Sequence, residues 1–424
     1  MHKAKKISYF APSALVVITI VLFNLLPGIY LLNSGWKEDL YFEYSLYEYQ
    51  LGVIQYVTAV SVFLATFVAC SFLLGFRLKN LQRRVEVNIF DRKSTRADFE
   101  QYGIYSALTL VGVILTAIYF VDGGYQKLLL FGSNLDSWAF RLIGYDDRSR
   151  FLIAGLEASR RVLLPLGVSY LFVVFRLGGR TGVAGLLVLG ALFQILGAAM
   201  TLDRAPVLLF FMMFVFVSTC LGMTFLKLVR MSAIALLLIL LVAGVTTFLQ
   251  YNIRSFSLAD VWETGWNFLF HRTVLVPSIA SVELSFIRFP DDTPKLFLQF
   301  SRLTALFGGT YVGTEDLDSI FVTPVGIIGD VWRNFGMTGI VISAAVLAAY
   351  FRAMDKLVER ASPIGMVVHS FNALSLAFYF IFGVLFSQGV LFQMLLGFAI
   401  LAAEVANRRS RAAVRGRIGY STRI

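Results

Sequence analysis

The 424-residue chain has two cysteines, Cys70 and Cys220, both inside apolar runs, so it offers no disulfide framework. Three histidines exclude a zinc cluster, and metal chemistry through soft ligands is set aside. Charge is scarce as well: 15% of residues are charged against 58% hydrophobic, and the mean hydropathy is +0.75. Those values exclude a water-soluble fold of this length. Internal repeats, low-complexity stretches and a soluble domain at either end are all missing, and nothing in the pattern implies a nucleic-acid partner.

What is there is a series of apolar segments of about 20 residues, the length a helix needs to cross a hydrocarbon core of ~30 Å. The reading is an all-α, polytopic integral membrane protein forming a single membrane domain over residues 1–424. Spans are expected near 11–32, 52–75, 104–121, 155–175, 183–200, 206–224, 232–250, 334–351, 364–384 and 387–404. The first run lacks a small-residue cleavage site and is longer than a signal-peptide core, so it counts as a mature helix. Ten spans put both termini on one side. Both are basic, with Lys3, Lys5 and Lys6 at the start and six arginines from Arg408 to Arg423 at the finish. The positive-inside rule makes that side cytoplasmic, and 23 of the 37 basic residues fall there. The other side collects 19 of the 26 acids, and its large late loop, about 250–331, is expected to be a folded extracytoplasmic cap. Within it, Trp262 to Phe289 reads as an amphipathic interfacial helix that Pro277 ends or kinks.

The remaining 14 basic residues run against this bias, and eleven are arginines: Arg141, Arg148, Arg150, Arg160, Arg161, Arg204, Arg254, Arg272, Arg288, Arg302 and Arg333. A planar guanidinium matches two oxygens of a phosphate or carboxylate at once, so the set reads as an extracytoplasmic anion site. For any one of them, pairing with an outer acid is the competing explanation. Asp203-Arg204 before Pro206 fits a tight outer hairpin, with Asp203 capping the next helix and Arg204 beside its N-terminus. Arg254, His271, Arg272 and Arg302 are the next candidates, all in the large loop. Arg160-Arg161 has a comparable position near the outer half of a span, before Pro165.

The most patterned stretch is Pro324-x-Gly326-x-x-Gly329-Asp330-x-Trp332-Arg333-Asn334-Phe335-Gly336-x-x-Gly339. Its glycines allow close backbone packing, and Asp330 and Arg333, three apart, share one helical face. A local ion pair at a helix start explains that spacing equally well.

This stretch resembles the acidic-aromatic-Asn-Phe-Gly-x-x-Gly signature of Wzy-type O-antigen and exopolysaccharide repeat-unit polymerases. The layout of spans, arginine-bearing hairpin and large late loop is similar too. In many of those proteins the acid is glutamate where this chain has Asp330. The resemblance implies a glycosyltransferase of the bacterial inner membrane that moves a glycan from undecaprenyl pyrophosphate to a hydroxyl of a lipid-linked repeat unit. Its partners are then undecaprenyl-pyrophosphate-linked glycans and membrane lipid, with a chain-length regulator protein as a further candidate. It also implies pyrophosphate binding by Arg204, Arg254, Arg272 and Arg333, without metal or other cofactor, and a proton acceptor among Asp330, Glu283 and His271, in that order. Three alternatives remain open. They are a glycan ligase or oligosaccharyltransferase, a polyprenyl-monophosphate glycosyltransferase using Glu38, Asp39 or Glu43, and a transporter of the lipid-linked glycan.

Overall fold

The computed structural model describes residues 5–34, 44–77, 82–87, 102–126, 150–178, 181–201, 205–222, 257–267, 274–287, 326–382 and 388–421, with isolated positions between 226 and 240. Seven described helices are long and apolar enough to cross a membrane: Pro12–Asn33, Leu46–Leu73, Tyr102–Gly124, Phe151–Leu177, Gly326–Val358, Pro363–Phe380 and Val390–Ser410. Large apolar side chains on their outer faces, such as Ile114, Val346 and Leu395, are exposed, as a lipid-facing surface requires. The protein is an α-helical, multi-pass membrane protein.

In chain order the elements are β1 (Lys5–Phe10), α1 (Pro12–Ile20), α2 (Leu26–Ser34), α3 (Leu46–Leu73), β2 (Gln82–Val87), α4 (Tyr102–Tyr119), α5 (Arg150–Ala158), α6 (Leu164–Gly178), α7 (Thr181–Thr201), α8 (Ala205–Cys220), α9 (Leu258–Asn267), α10 (Val276–Ser281), α11 (Gly326–Val358), α12 (Pro363–Phe382) and α13 (Gln388–Ser421). The expected spans at 183–200 and 206–224 are the helices α7 and α8, while 232–250 lies outside the described residues apart from isolated positions. Helix α3 starts where the sequence allows it: the Ser45 hydroxyl accepts the Glu48 N–H at 3.2 Å and the Glu48 carboxylate accepts the Ser45 N–H at 2.9 Å.

Among the described residues the fold is all-α apart from one short ribbon, in which β1 and β2 pair antiparallel, Lys5 opposite Val87 and Phe10 opposite Gln82. Pro277 stands in the first turn of α10, directly after Val274 and Leu275, which are π-helical. Of the stretch expected as one helix from Trp262 to Phe289, the structure describes α9 and a unit from 274 to 287, with residues 268–273 between them outside the described residues.

Contacts divide the bundle into two ends. At one, the terminal end, Ser13 N–H donates to Asp355 at 3.1 Å, the Ser370 hydroxyl to the Phe10 carbonyl at 2.8 Å, and Arg408 to the Arg360 carbonyl at 3.3 Å, while Arg83 pairs with Glu359 at 3.1 Å. The N-terminal segment, β2, the turn after α11 and the C-terminal part of α13 therefore share one end. At the opposite end the aromatic core continues through Phe23 against Phe378 and Tyr56 against Phe286. Between the two, α3 packs along α11, with Phe67 against Phe351.

Among the described residues, π-helical stretches include Val21–Leu25, Phe120–Gly124, Ser159–Leu163 and Val282–Ile287. A π turn inside a helix inserts an extra residue into the ladder and frees backbone groups, and such turns concentrate at functional positions. Asn24, Arg160, Arg161 and Glu283 all sit in them.

Candidate functional site

Two short helical units at the opposite end are buried on every side. Pro277 to Glu283 is buried without interruption, and so is Gly326 to Asn334, the first part of α11. Helix α11 then breaks at Gly336, with φ 61° and ψ −156°, a backbone that strains any residue bearing a Cβ. The glycines of the patterned stretch thus separate in function, for at Gly339 a Cβ would stand 2.2 Å from that of Phe335. A helix apolar or buried all round cannot face lipid on one side and core on the other. These two units are therefore enclosed by protein.

The units meet through Phe286 and Trp332, whose rings stack at 4.7 Å between centroids. Glu283 stands one turn before Phe286 and is fully buried, and Asp330 stands two residues before Trp332 and is fully buried as well. As the spacing predicts, Asp330 and Arg333 share a face: Arg333 Nη2 donates to Asp330 Oδ1 at 3.0 Å. Asn334 Nδ2 donates to the Asp330 carbonyl at 2.7 Å and reaches Oδ1 at 3.4 Å. Behind Phe286, the Tyr56 hydroxyl joins Asn24 and Ser278, each at 3.1 Å. The result is a seam of two polar clusters, Asn24–Tyr56–Ser278 and Asp330–Arg333–Asn334, joined through the rings of Phe286 and Trp332.

Of the seven candidate site residues, the structure brings Glu283, Asp330 and Arg333 to this seam. Arg204, Arg254, His271 and Arg272 lie outside the described residues, as do Glu38, Asp39 and Glu43. Among the eleven outer arginines, the three with described side chains each have a carboxylate partner on their own helix. Arg333 has Asp330, and Arg160 and Arg161 share Glu157. For these three, local pairing is what the geometry displays.

The Arg160 region contains a second feature. In the π turn, Leu164 N–H bonds to the Ser159 carbonyl, and Pro165 has no N–H, so the Arg160 carbonyl loses its helical donor. Gln194 of α7 replaces that donor through Nε2 at 2.8 Å. Its Oε1 is left without a partner, beside a small cavity lined by Arg160, Pro165, Gln194, Leu209, Phe210, Met213 and Phe371. Arg161 lies over the Tyr379 ring at 4.5 Å.

Sequence reasoning missed two clusters at the terminal end. The first is centred on Glu404, which accepts from Ser362 N–H at 3.0 Å and from the Ser362 hydroxyl at 2.9 Å. It also accepts from the Tyr105 hydroxyl at 2.5 Å, and His369 Nε2 lies 3.2 Å from the same carboxylate. Ser362 in turn accepts the Gly365 N–H at 2.9 Å, so one carboxylate and one hydroxyl together cap α12. The second is Asp355, which takes the Ser13 N–H and hydroxyl at the first turn of α1 and pairs with Arg352. The signal that could have found Glu404 is a lone acid inside an apolar run, which is expensive unless it has a designated partner, whereas Asp355 sits among Arg352, Lys356, Glu359 and Arg360 and reads as loop charge. Just outside the membrane-spanning helices, burial raises the Tyr9 phenol above its ordinary range, opposed by the nearby Arg83 guanidinium. Among the described residues no three His, Cys, Asp or Glu side chains gather as a metal site.

Comparison with protein-family models, with curated proteins and with solved structures returned no match.

Proposed function

We propose that the chain is a polysaccharide repeat-unit polymerase of the bacterial inner membrane, with the terminal end cytoplasmic and the buried seam toward the outer side. One observation carries the reading. Two fully enclosed helical units, on either side of residues 288–325, join an acid, an ion pair and a carboxamide inside an apolar bundle. Enclosed charge of this kind is costly, and chemistry is the usual reason for keeping it.

In the proposed reaction the hydroxyl oxygen of an incoming lipid-linked repeat attacks the anomeric carbon of the donor glycan. The bond from that carbon to the pyrophosphate oxygen breaks, and its electron pair leaves with undecaprenyl pyrophosphate. Glu283, fully buried one turn before Phe286, takes the hydroxyl proton in this scheme, and Asp330 positions Arg333. Arg333, oriented by Asp330, which Asn334 holds in turn, faces the charge developing on the leaving group, with Arg204, Arg254 and Arg272 as the further guanidiniums. Stabilisation by fixed donors in a dry site is the largest contribution such a centre makes.

The test is reconstitution of the purified chain in liposomes with lipid-linked repeat units, read as a ladder of products. Glu283→Gln is expected to slow elongation at least ~100-fold, the usual contribution of a proton acceptor. Arg333→Lys keeps the charge, loses the fork and is expected to slow it about tenfold. Elongation at the unsubstituted rate in both variants overturns the site. Transfer of preformed polymer to another acceptor without a ladder would make the chain a ligase, and movement of the lipid-linked glycan without a new bond would make it a transporter.

A further inference from the structure

Helix α9 carries two tryptophans that the proposed reaction leaves unused. Trp262 and Trp266, one turn apart, are 51% and 48% exposed. Gly265, about 60° round the helix from Trp262 and about 100° from Trp266, lies so close to the chain at Leu240 that a Cβ there would stand 2.3 Å from the Leu240 carbonyl oxygen. The helix is held along this flank, and the two indoles beside it stay half exposed. A pair of indoles presented in this way suits an occupant with apolar faces and polar edges. The headgroup zone of a bilayer and the rings of a sugar chain both meet that description.

Charge distinguishes them. Leu258–Asn267 contains no Lys or Arg, whereas Asp260 and Glu263 are both exposed. Helices that lie on a membrane surface are rich in Lys and Arg on their polar face, because anionic lipids attract them. Here the persistent charge is negative: the Ser257 N–H, 2.8 Å from its carboxylate, and the Ser257 hydroxyl hold Asp260 below the ordinary carboxylate range. Glu263 lies about a quarter turn round the helix from Trp262, placing a hydrogen-bond acceptor next to the indoles. Apolar faces bordered by acceptors complement a polyhydroxylated ring and repel an anionic headgroup.

We infer that Trp262, Trp266 and Glu263 form a glycan-binding platform, on which the C–H faces of successive sugar rings stack while their hydroxyls donate to Glu263. The inference rests on the proposed function, which puts α9 on the outer side and gives the polymer something to rest on as it grows.

The test uses the full chain in nanodiscs of phosphatidylcholine and phosphatidylglycerol. The probe is a set of fluorescently labelled oligosaccharides released by mild acid from the surface polysaccharide of the producing cell. The double variant W262A/W266A is expected to weaken binding at least tenfold, W262Y/W266Y less than threefold because a ring remains, and E263Q about fivefold. Binding by W262A/W266A as tight as that of the unsubstituted chain overturns the platform. So does quenching of most of the fluorescence difference between the unsubstituted chain and W262F/W266F when the nanodiscs carry brominated acyl chains, which would put the indoles in lipid. The two readings fail separately. Oligosaccharide binding without any chain growth removes the polymerase and leaves the platform, and chain growth with no effect of W262A/W266A on binding does the reverse.

Discussion

Replacing Glu404 by leucine is expected to destabilise the bundle more than any single change in its lipid-facing surface. The carboxylate receives Ser362 N–H and hydroxyl, the Tyr105 hydroxyl and His369 Nε2, four contacts from three places in the chain. Polar contacts between membrane helices average about 0.6 kcal/mol each, and charge-assisted ones are roughly twice as strong. Four of them come to about 5 kcal/mol, the upper end of the ~3–5 kcal/mol seen when one member of a buried pair is removed. Leucine has no acceptor, so the Ser362 N–H and hydroxyl are orphaned, while Tyr105 and His369, 3.0 Å apart, keep only each other. Glutamine keeps one acceptor oxygen and should lose about half as much. The assay is reversible unfolding in mixed micelles with increasing sodium dodecyl sulfate, followed by tryptophan fluorescence. Repeating Glu404→Leu in a Y105F/H369F background isolates the coupling, and the cost should fall by about 2 kcal/mol because two donors are already gone. A loss under about 1 kcal/mol for Glu404→Leu refutes the reasoning, since a satisfied buried carboxylate cannot be removed that cheaply.

Gln194→Leu should cost about 1–3 kcal/mol in the same assay, because it leaves the Arg160 carbonyl without a donor, while Gln194→Glu should cost as much by presenting an oxygen to that oxygen. Ser257→Ala removes the cap of α9 and should cost about 1 kcal/mol of local stability, read as faster amide exchange over Leu258–Asn267. Asp260 has its folded value depressed, so its support of that helix start is present above the ordinary aspartate range and disappears as pH falls through the lowered value; exchange in this helix should therefore accelerate at acid pH, and Asp260→Asn should abolish the dependence. Gly336→Ala, at a positive φ, should slow elongation as well as destabilise, by shifting Asp330 and Arg333 relative to Glu283.

The spans were legible because hydropathy over twenty residues is a one-dimensional property: Tyr102–Gly124 or Pro363–Phe380 can be read without knowing what it packs against. The Asp330–Arg333 contact was legible for the same reason, since three residues along a helix fix it. The strands escaped notice because Lys5, Lys6, Arg83 and Arg84 register first as membrane-flanking charge, although Ile7 and Tyr9 alternate as a strand should and both are buried. The Glu404 cluster joins residues 105, 362, 369 and 404, and no local pattern encodes such a meeting of three helices. Glu283 was legible as a candidate acid, but its enclosure depends on the π turn Val282–Ile287 and on the Phe286–Trp332 stack.

The π turn at Ser159–Leu163 sets an unusual rule for how this chain can change length. Deleting one residue there would restore a regular helix and swing everything before it by about 100° relative to α6. The Arg160 carbonyl would lose its register with Gln194, although no side chain on α7 had been altered. Insertions and deletions, which ordinarily accumulate in surface connections, would here be felt deep inside a span. Any homologue that is one residue shorter between Arg150 and Gly178 should be aligned with its gap at this turn, and should be expected to lack the glutamine as well.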